Sequence, residues 1–542
     1  MTNVARHTRV LLRCAVVVAL IGLSLSTAGG WGAATEAPPG PNNTFVWASR
    51  VMDKTNPLLD MDLDRVPLWT FDGLVSFDGS LEPHGALAQS WDVSNGGKTY
   101  VFHLRKGVTW HDGQPFTADD VVFTVQAALD PKNKSYMAPA FMVAGKPVTV
   151  TKVDADTVRF DLPQPSNTFL FMMWRQNSVI VPKHLLAGVD LQTTPFDLKP
   201  IGTGPYMVVK YVPKQQVILK ANPNYFGGAP KIQYWVFKEL EDQNAALAAL
   251  GSGEVTAAGL GGKAALTAAA KMPHVKIHGY DAGWIFALVF NVRRAPLNDK
   301  SVRQAVAYAI NRQQLVKTIA GADTTVATSL IGPPGTWQYD AGVTTYGFNP
   351  AKAKALLAQD GWKAAGGGGV LEKAGKPLTL TISIQARATD SDPMPFAVAI
   401  QKELSDVGFK VNIVQLDRAS LQPKLLNDHD FDAYLWWDGY SFVPDVSAFW
   451  LTKSADPTGY ASPRLDALID KANTTPDRAA RKATLDEIAQ QVAGDVPMIP
   501  LYYYRGHVGI QDVVGGVPQP SGADPNNTGI FYRVQDLTLN RH

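Results

Sequence analysis

Cysteine is the scarcest residue of this 542-residue chain: there is one, Cys14. Beyond it no disulfide can form and no thiol nucleophile exists. An excess of one charge is missing too. The chain carries 50 Lys and Arg against 48 Asp and Glu, a net charge of +2, so it lacks the basic footprint of a nucleic-acid binder. Catalytic signatures are equally scarce. No H-E-x-x-H, G-x-S-x-G or G-x-x-x-x-G-K-[ST] occurs. His274 and His278, the nearest histidine pair, fall in a strand-like stretch beside Pro273, where a spacing of four does not put both rings on one face. No metal site and no cofactor are therefore expected, and no catalytic residue is assigned. A glycosidase needs only two carboxylates, which can be distant in sequence, so a secreted glycoside-handling enzyme stays open as an alternative of a different class.

What the chain does have is apolar and aromatic content. Hydrophobic residues make up 46% and charged ones 18%, a globular composition, and the length calls for two or three lobes. Thirteen Trp and seventeen Tyr suit a binding protein or a carbohydrate-handling enzyme. At the start, Arg6, Arg9 and Arg13 precede or open the apolar run CAVVVALIGLSLS (14–26), which is short for a bilayer span and gives way to small residues. Residues 1–34 are expected to be a signal peptide. Cys14 stands at the head of the run rather than after it, so a soluble exported protein is expected, periplasmic and not lipid-anchored.

Strands and helices mix along the chain. KTYVFHLR (98–105) alternates like a strand, and TADDVVFTVQAAL (117–129) opens a helix at Thr117 with acids in its first turn. Residues 204–222 predict two strands around a turn at Pro213. Residues 298–319 predict one amphipathic helix, 396–416 a helix, a Gly408 stop and a buried strand, and 465–496 a helix pair broken at 474–476 and followed by a strand at 498–504. The glycine tract 364–370 marks a hairpin or loop. This alternation predicts an α/β fold.

Several segments together resemble the family 5 extracellular solute-binding proteins, the dipeptide, oligopeptide and nickel receptors of ABC importers. The most specific is YVFHLRKGVTWHDGQPFTADDVVFT (100–124). DGLVSFDGSLEPHGALAQSW (72–91), IGTGPYMVVKYVPKQQVILKANPNYFGG (201–228), FNVRRAPLNDKSVRQAVAYAINRQQLV (290–316) and VPMIPLYYYRGHVG (496–509) match other family blocks in family order. Gly107, Gly113, Pro115, Gly202, Gly204, Asn222 and Tyr225 have turn and cap chemistry that accounts for them as scaffold.

The resemblance implies a three-lobe periplasmic binding protein. Two α/β lobes would flank a ligand cleft: a discontinuous first lobe, 35–75 with 199–285 and 510–542, and a third lobe, 286–509. A smaller lobe, 76–198, would be inserted. It also implies a monomer that captures a small solute, a peptide by default, and delivers it to a membrane permease. An oligosaccharide or other non-peptide solute is the alternative within that class.

In peptide-binding relatives the segment matching FDAYLWWDGYSFVPDVSAFW (431–450) carries an acid that pairs with the ligand's ammonium group. Aligned on Trp437 and Pro444, that position is Tyr440, which cannot neutralise an ammonium. Trp436 and Trp437 can stack on a ring or meet a cation, one facing the cleft and the other the core. Asp438, Trp284 and Arg387 complete the candidate ligand-binding residues.

Overall fold

The computed structural model describes residues 39–542 except 50–55, 60–64, 79–81, 176, 241, 321–323, 365–368, 387–392, 440–451, 453–456, 476, 519–530, 532 and 541–542, and for 65, 282 and 437–439 the backbone alone. The expected signal peptide lies outside the described residues. Strand β1 (Thr44–Ser49) opens the fold. A four-stranded antiparallel sheet follows, with β2 (Ala88–Ser94), β3 (Thr99–Leu104), β4 (Thr149–Lys152) and β5 (Thr157–Asp161) in the order β2-β3-β5-β4. Helix α1 (Ala118–Leu129) packs on β4 and β5. Next come β6 (Tyr206–Val212), β7 (Gln216–Ala221), β8 (Tyr234–Glu239), helix α2 (Gln243–Ser252), β9 (Ala257–Gly259), helix α3 (Gly262–Ala269) and the long β10 (Val275–Phe290). The rest supplies α4 (Lys300–Ala309), β11 (Thr379–Gln385), α5 (Met394–Ser405), β12 (Lys410–Leu416), β13 (Ala433–Gly439), α6 (Pro463–Thr474), α7 (Arg478–Asp495) and β14 (Met498–Gln511).

Ten strands form one mixed sheet, β6-β7-β8-β1-β9-β14-β10-β13-β11-β12. β8, β1 and β9 run parallel, as do β13, β11 and β12. The second set is linked through helices, as a parallel pair requires. In the run IFALVF of β10, Phe286, Leu288 and Phe290 join one apolar cluster and Ile285, Ala287 and Val289 another. The period-two alternation of a strand thus buries both faces. Three sets of cores are separate. One is made only of residues from 58–196, among them Phe102, Trp110 and Phe160. A second joins β1 and β6–β9 to Val508, Ile510 and Phe531. The third lies on the two faces of β10, β11 and β13.

Local chemistry explains the elements that the sequence predicts. The Thr117 side chain accepts from the Asp119 N–H while the Asp120 carboxylate accepts from the Thr117 N–H, a reciprocal cap. Gly408 adopts φ +103, and an added Cβ there would lie 2.4 Å from the Leu371 side chain. The tract 364–370 joins two short antiparallel strands, Lys363–Ala364 and Leu371–Lys373. The 204–222 hairpin and the break between α6 and α7 also occur as expected.

Two expectations fail. The helix at 298–319 is interrupted: Ile310 is extended, with ψ 120, and Asn311 caps a new turn by accepting from the Gln314 N–H. The Asn311 N–H, freed from the helix ladder, donates to Glu403 Oε2 at 3.0 Å. A capping residue inside the apolar pattern therefore overrides its periodicity. The strand after Gly408 is not buried either. β12 is the last strand of the sheet, and four of its seven residues are exposed.

Candidate functional site

Two regions bring the singled-out residues together. The first gathers the family-like motifs. The His111 N–H donates to Gly202 O at 2.9 Å, its Nδ1 accepts from the Gly202 N–H at 3.2 Å, and its Nε2 donates to Gly204 O at 3.0 Å. Both ring nitrogens are therefore committed in the neutral form. Burial pushes this imidazole down to about 4. The two glycines are obligatory: an added Cβ would sit 1.8 Å from Thr70 O at position 202 and 2.4 Å from Trp69 O at position 204.

Asp72 lies beneath them, almost wholly buried, accepting from Thr203 Oγ1 at 3.0 Å and from the Tyr225 hydroxyl at 3.2 Å. Burial raises its carboxyl, opposed chiefly by the Arg175 charge. Asn222 Nδ2 donates to Gly204 O at 3.0 Å. Sequence reading assigned scaffold roles to Gly202, Gly204, Asn222 and Tyr225. It missed Asp72, the buried charge at the centre, although the D-G pair at 72–73 opens one of the family-like blocks.

The second region is where β10 and β14 cross the middle of the large sheet. They pair regularly from Val275↔Gln511 to Asp281↔Arg505 and resume at Ile285↔Tyr503. Residues 282–284 thus stand opposite Tyr504 alone, a bulge on β10. Gly283 makes it possible with φ +75, a conformation other L-residues rarely adopt. The bulge lifts Trp284 out of the packed sheet. It is 40% exposed, while the next six residues are no more than 1% exposed.

Beside this bulge lies a cavity of about 260 Å³ lined by Gln243, Leu260, Tyr280, Tyr504 and His507, among others. Ala48 and Gly259 place it at the carboxyl ends of parallel β1 and β9, where α/β sheets bind ligands. Gln243 is oriented by donating to Gly259 O at 3.0 Å and accepting from the Gly261 N–H at 3.1 Å. The Tyr280 ring lies over Gly506, where a Cβ would come within 2.3 Å of it. Asp281 and Arg505 flank the bulge with N···O 3.7 Å, and burial raises the Asp281 carboxyl against the pull of Arg505. Aromatic faces with polar tips and a compensated charge pair suit recognition of a polar solute with an apolar part.

The sequence-predicted residues meet this region from the other strand. β13 pairs antiparallel with β10, matching Gly439 to Trp284, Asp438 to Ile285, Trp437 to Phe286 and Trp436 to Ala287. Trp284 and the aromatic stretch are therefore neighbours. Trp436 is half-buried and packs against the cluster of Ile285, Leu421 and Tyr434. The side chains of Trp437 and Asp438, and all of Tyr440 and Arg387, lie outside the described residues. Tyr280, Tyr504 and His507 were missed because each sits in an ordinary strand pattern. The signal that could have found them is the Y-R-G-H run, where Gly506 makes room for a ring across the strand pair. His429 precedes β13 at φ +49, with Nδ1 3.1 Å from Leu425 O. Among the described residues no group of His, Cys, Asp and Glu is arranged to hold a metal.

Known proteins agree with this architecture. The model for bacterial extracellular solute-binding proteins, family 5 (middle region), matches residues 82–460. The oligopeptide-binding protein AppA of Bacillus subtilis is 30% identical over 455 residues, covering 82% of each chain. A dipeptide-binding protein of Escherichia coli is 30% identical over 446 residues, 78% of this chain and 80% of that one. The solved structure of Bacillus subtilis AppA with a nonapeptide superposes with a TM-score of 0.75 at 27% identity, over 93% of this chain and all of that one. NikZ of Campylobacter jejuni, solved with Ni(L-His), gives a TM-score of 0.77 at 26% identity over 92% of this chain. With the lobed α/β architecture of these binding proteins and a family match over most of its length, the chain belongs to the family 5 bacterial extracellular solute-binding proteins.

Proposed function

We propose that the protein is a periplasmic receptor that captures a peptide and delivers it, unaltered, to the membrane permease of an ABC importer. The observation that carries this reading is the cavity at the β10–β14 crossover, with its tyrosines, His507 and the adjacent Trp284, in a chain similar to oligopeptide- and dipeptide-binding proteins over about four-fifths of its length. In this reading the lobes are 35–75 with 199–285 and 510–542, 76–198, and 286–509. The third would swing on the bulge at 282–284, where the pairing of β10 and β14 is already interrupted. The separate apolar cores support it, since each region keeps its own packing during such a motion. Export through residues 1–34, a monomeric state and the lack of a lipid anchor belong to the same proposal.

A second reading is favoured by His507 in the cavity wall: a metal chelate or haem-like solute. A heme-binding protein of Haemophilus influenzae is 27% identical over 537 residues. Thermal unfolding of the mature protein with di- to pentapeptides, cello- and xylo-oligosaccharides and nickel–histidine separates the readings. A ligand at a hundred times its Kd adds about 2.7 kcal/mol of stability. Peptides alone are expected to raise the melt. A rise with sugars or with the chelate only overturns the peptide assignment, and loss of the added solute during incubation overturns the receptor reading.

A further inference from the structure

The region 82–198 and the region 286–496 have no apolar cluster in common, yet they touch through polar groups at a seam. Helix α6 ends there, and the last carbonyls of a helix need partners from outside it. Lys471 O receives the Thr475 N–H at 3.0 Å. The next two are served from a distant part of the chain. The Asn167 N–H donates to Asn473 O at 3.1 Å, and its side-chain amide donates to Ala472 O at 3.0 Å and also to Thr475 O. One residue therefore caps a helix that lies 305 positions away.

Two arginines of α7 extend the contact. Arg478 pairs with Glu82 and lies 4.9 Å from the centre of the Trp337 ring, where Arg481 also stacks at 4.8 Å. Tyr100 of the first region lies within electrostatic range of Arg481, and its hydroxyl donates to Ser166 O, next to Asn167.

We propose that this seam is a latch for the captured state, with Asn167 as its positioning residue: it holds the two regions together over bound solute and slows release. The inference rests on the reading of the chain as a receptor that closes about the β10–β14 bulge. The region 286–496 joins the remainder through β10 and β14, so rotation at residues 282–284 carries α6 and α7 toward or away from Asn167. Helix α3 approaches the turn Val316–Ala320 as a further contact between these parts. A seam of hydrogen bonds and one exposed ion pair exchanges its partners for water at little cost. A shared apolar core would not. Reversible docking needs the former.

Asn167→Asp is the decisive variant, because it turns a carboxylate toward the negative end of α6. Ligand-free N167D is expected to show a larger small-angle-scattering radius than the unaltered protein. Release of a preloaded mixed tripeptide pool is expected to become about tenfold faster, with association within about twofold, since affinity changes of this kind appear mainly in dissociation. A second variant guards against a folding defect. Asn167→Cys with Asn473→Cys, in a mature chain with no cysteine of its own, should oxidise to a disulfide that shrinks the radius and slows release, both reversed by a reductant. An unchanged radius and unchanged release in N167D, or identical radii for the oxidised and reduced double-cysteine protein, would overturn the latch. Should the tripeptide pool fail to bind, the ligand assignment falls, and the radii still decide the latch.

Discussion

The Asp72–His111 cluster and the β10–β14 crossover are both built from aromatic and polar residues, but one is closed and the other open. In the first, glycines at 202 and 204 bring backbone against backbone with no space for a methyl group, and the ring nitrogens of His111 and the carboxylate of Asp72 find partners inside the protein. In the second, Gly283 bends the strand away, Trp284 stands partly in solvent, and a cavity of about 260 Å³ remains. The first region has the packing of a scaffold, and the second is the site proposed here for the solute. The motifs by which such a chain is recognised thus say little about what it binds.

Substitutions should separate the two regions sharply. Gly202→Ala has the largest expected effect. Its methyl group would overlap Thr70 O, and urea unfolding should show a loss of about 3 kcal/mol or more. An intact fold in this variant would mean that the two backbones can part.

The pH response follows in size. The unfolded imidazole of His111 titrates near 6.5 and the folded one near 4, so the stability it contributes is complete above 6.5 and is lost as pH falls toward 4. This amounts to roughly 3 kcal/mol at most. His111→Gln, which can still accept from the Gly202 N–H and donate to Gly204 O, should flatten that part of the acid slope. An unchanged slope would assign the acid sensitivity elsewhere.

At the crossover the expectation reverses. Trp284→Ala and Tyr504→Ala should weaken ligand binding about tenfold, or 1.4 kcal/mol, by calorimetry. Trp284→Ala should also leave the unfolding free energy within about 0.5 kcal/mol, as for other partly exposed positions. Equal losses in both measurements would make Trp284 a packing residue. The smallest effect is reserved for Tyr225→Phe, which removes one hydrogen bond to Asp72 and should cost about 1 kcal/mol without touching affinity.

Much of the scaffold was legible in the sequence because its signals are local. Thr117 followed three residues later by Asp120 announces a capped helix, Gly408 a helix stop, and the turn at Pro213 a hairpin. The break at Ile310–Asn311 escaped because apolar periodicity continues through it, and only the long-range bond to Glu403 shows why the chain turns there. The exposed character of β12 escaped because edge position is a property of sheet order, which no local pattern contains. The candidate site was legible in part. Trp284 and the 436–440 stretch drew attention as aromatics, and the register Trp284↔Gly439 joins them. Tyr280, Tyr504 and His507 did not, since their cavity is assembled from strands and a helix far apart in the chain. Their meaning depends on a bulge that Gly283 alone hints at.

The account rests on capture without turnover, and mass spectrometry of solute bound by the mature protein tests it most directly. After incubation with a mixed pool of di- to pentapeptides and removal of unbound material, the protein should retain peptides at about one per chain, with masses unchanged, and Trp284→Ala should retain fewer. Retention of no peptide, or recovery of cleaved products, would contradict it.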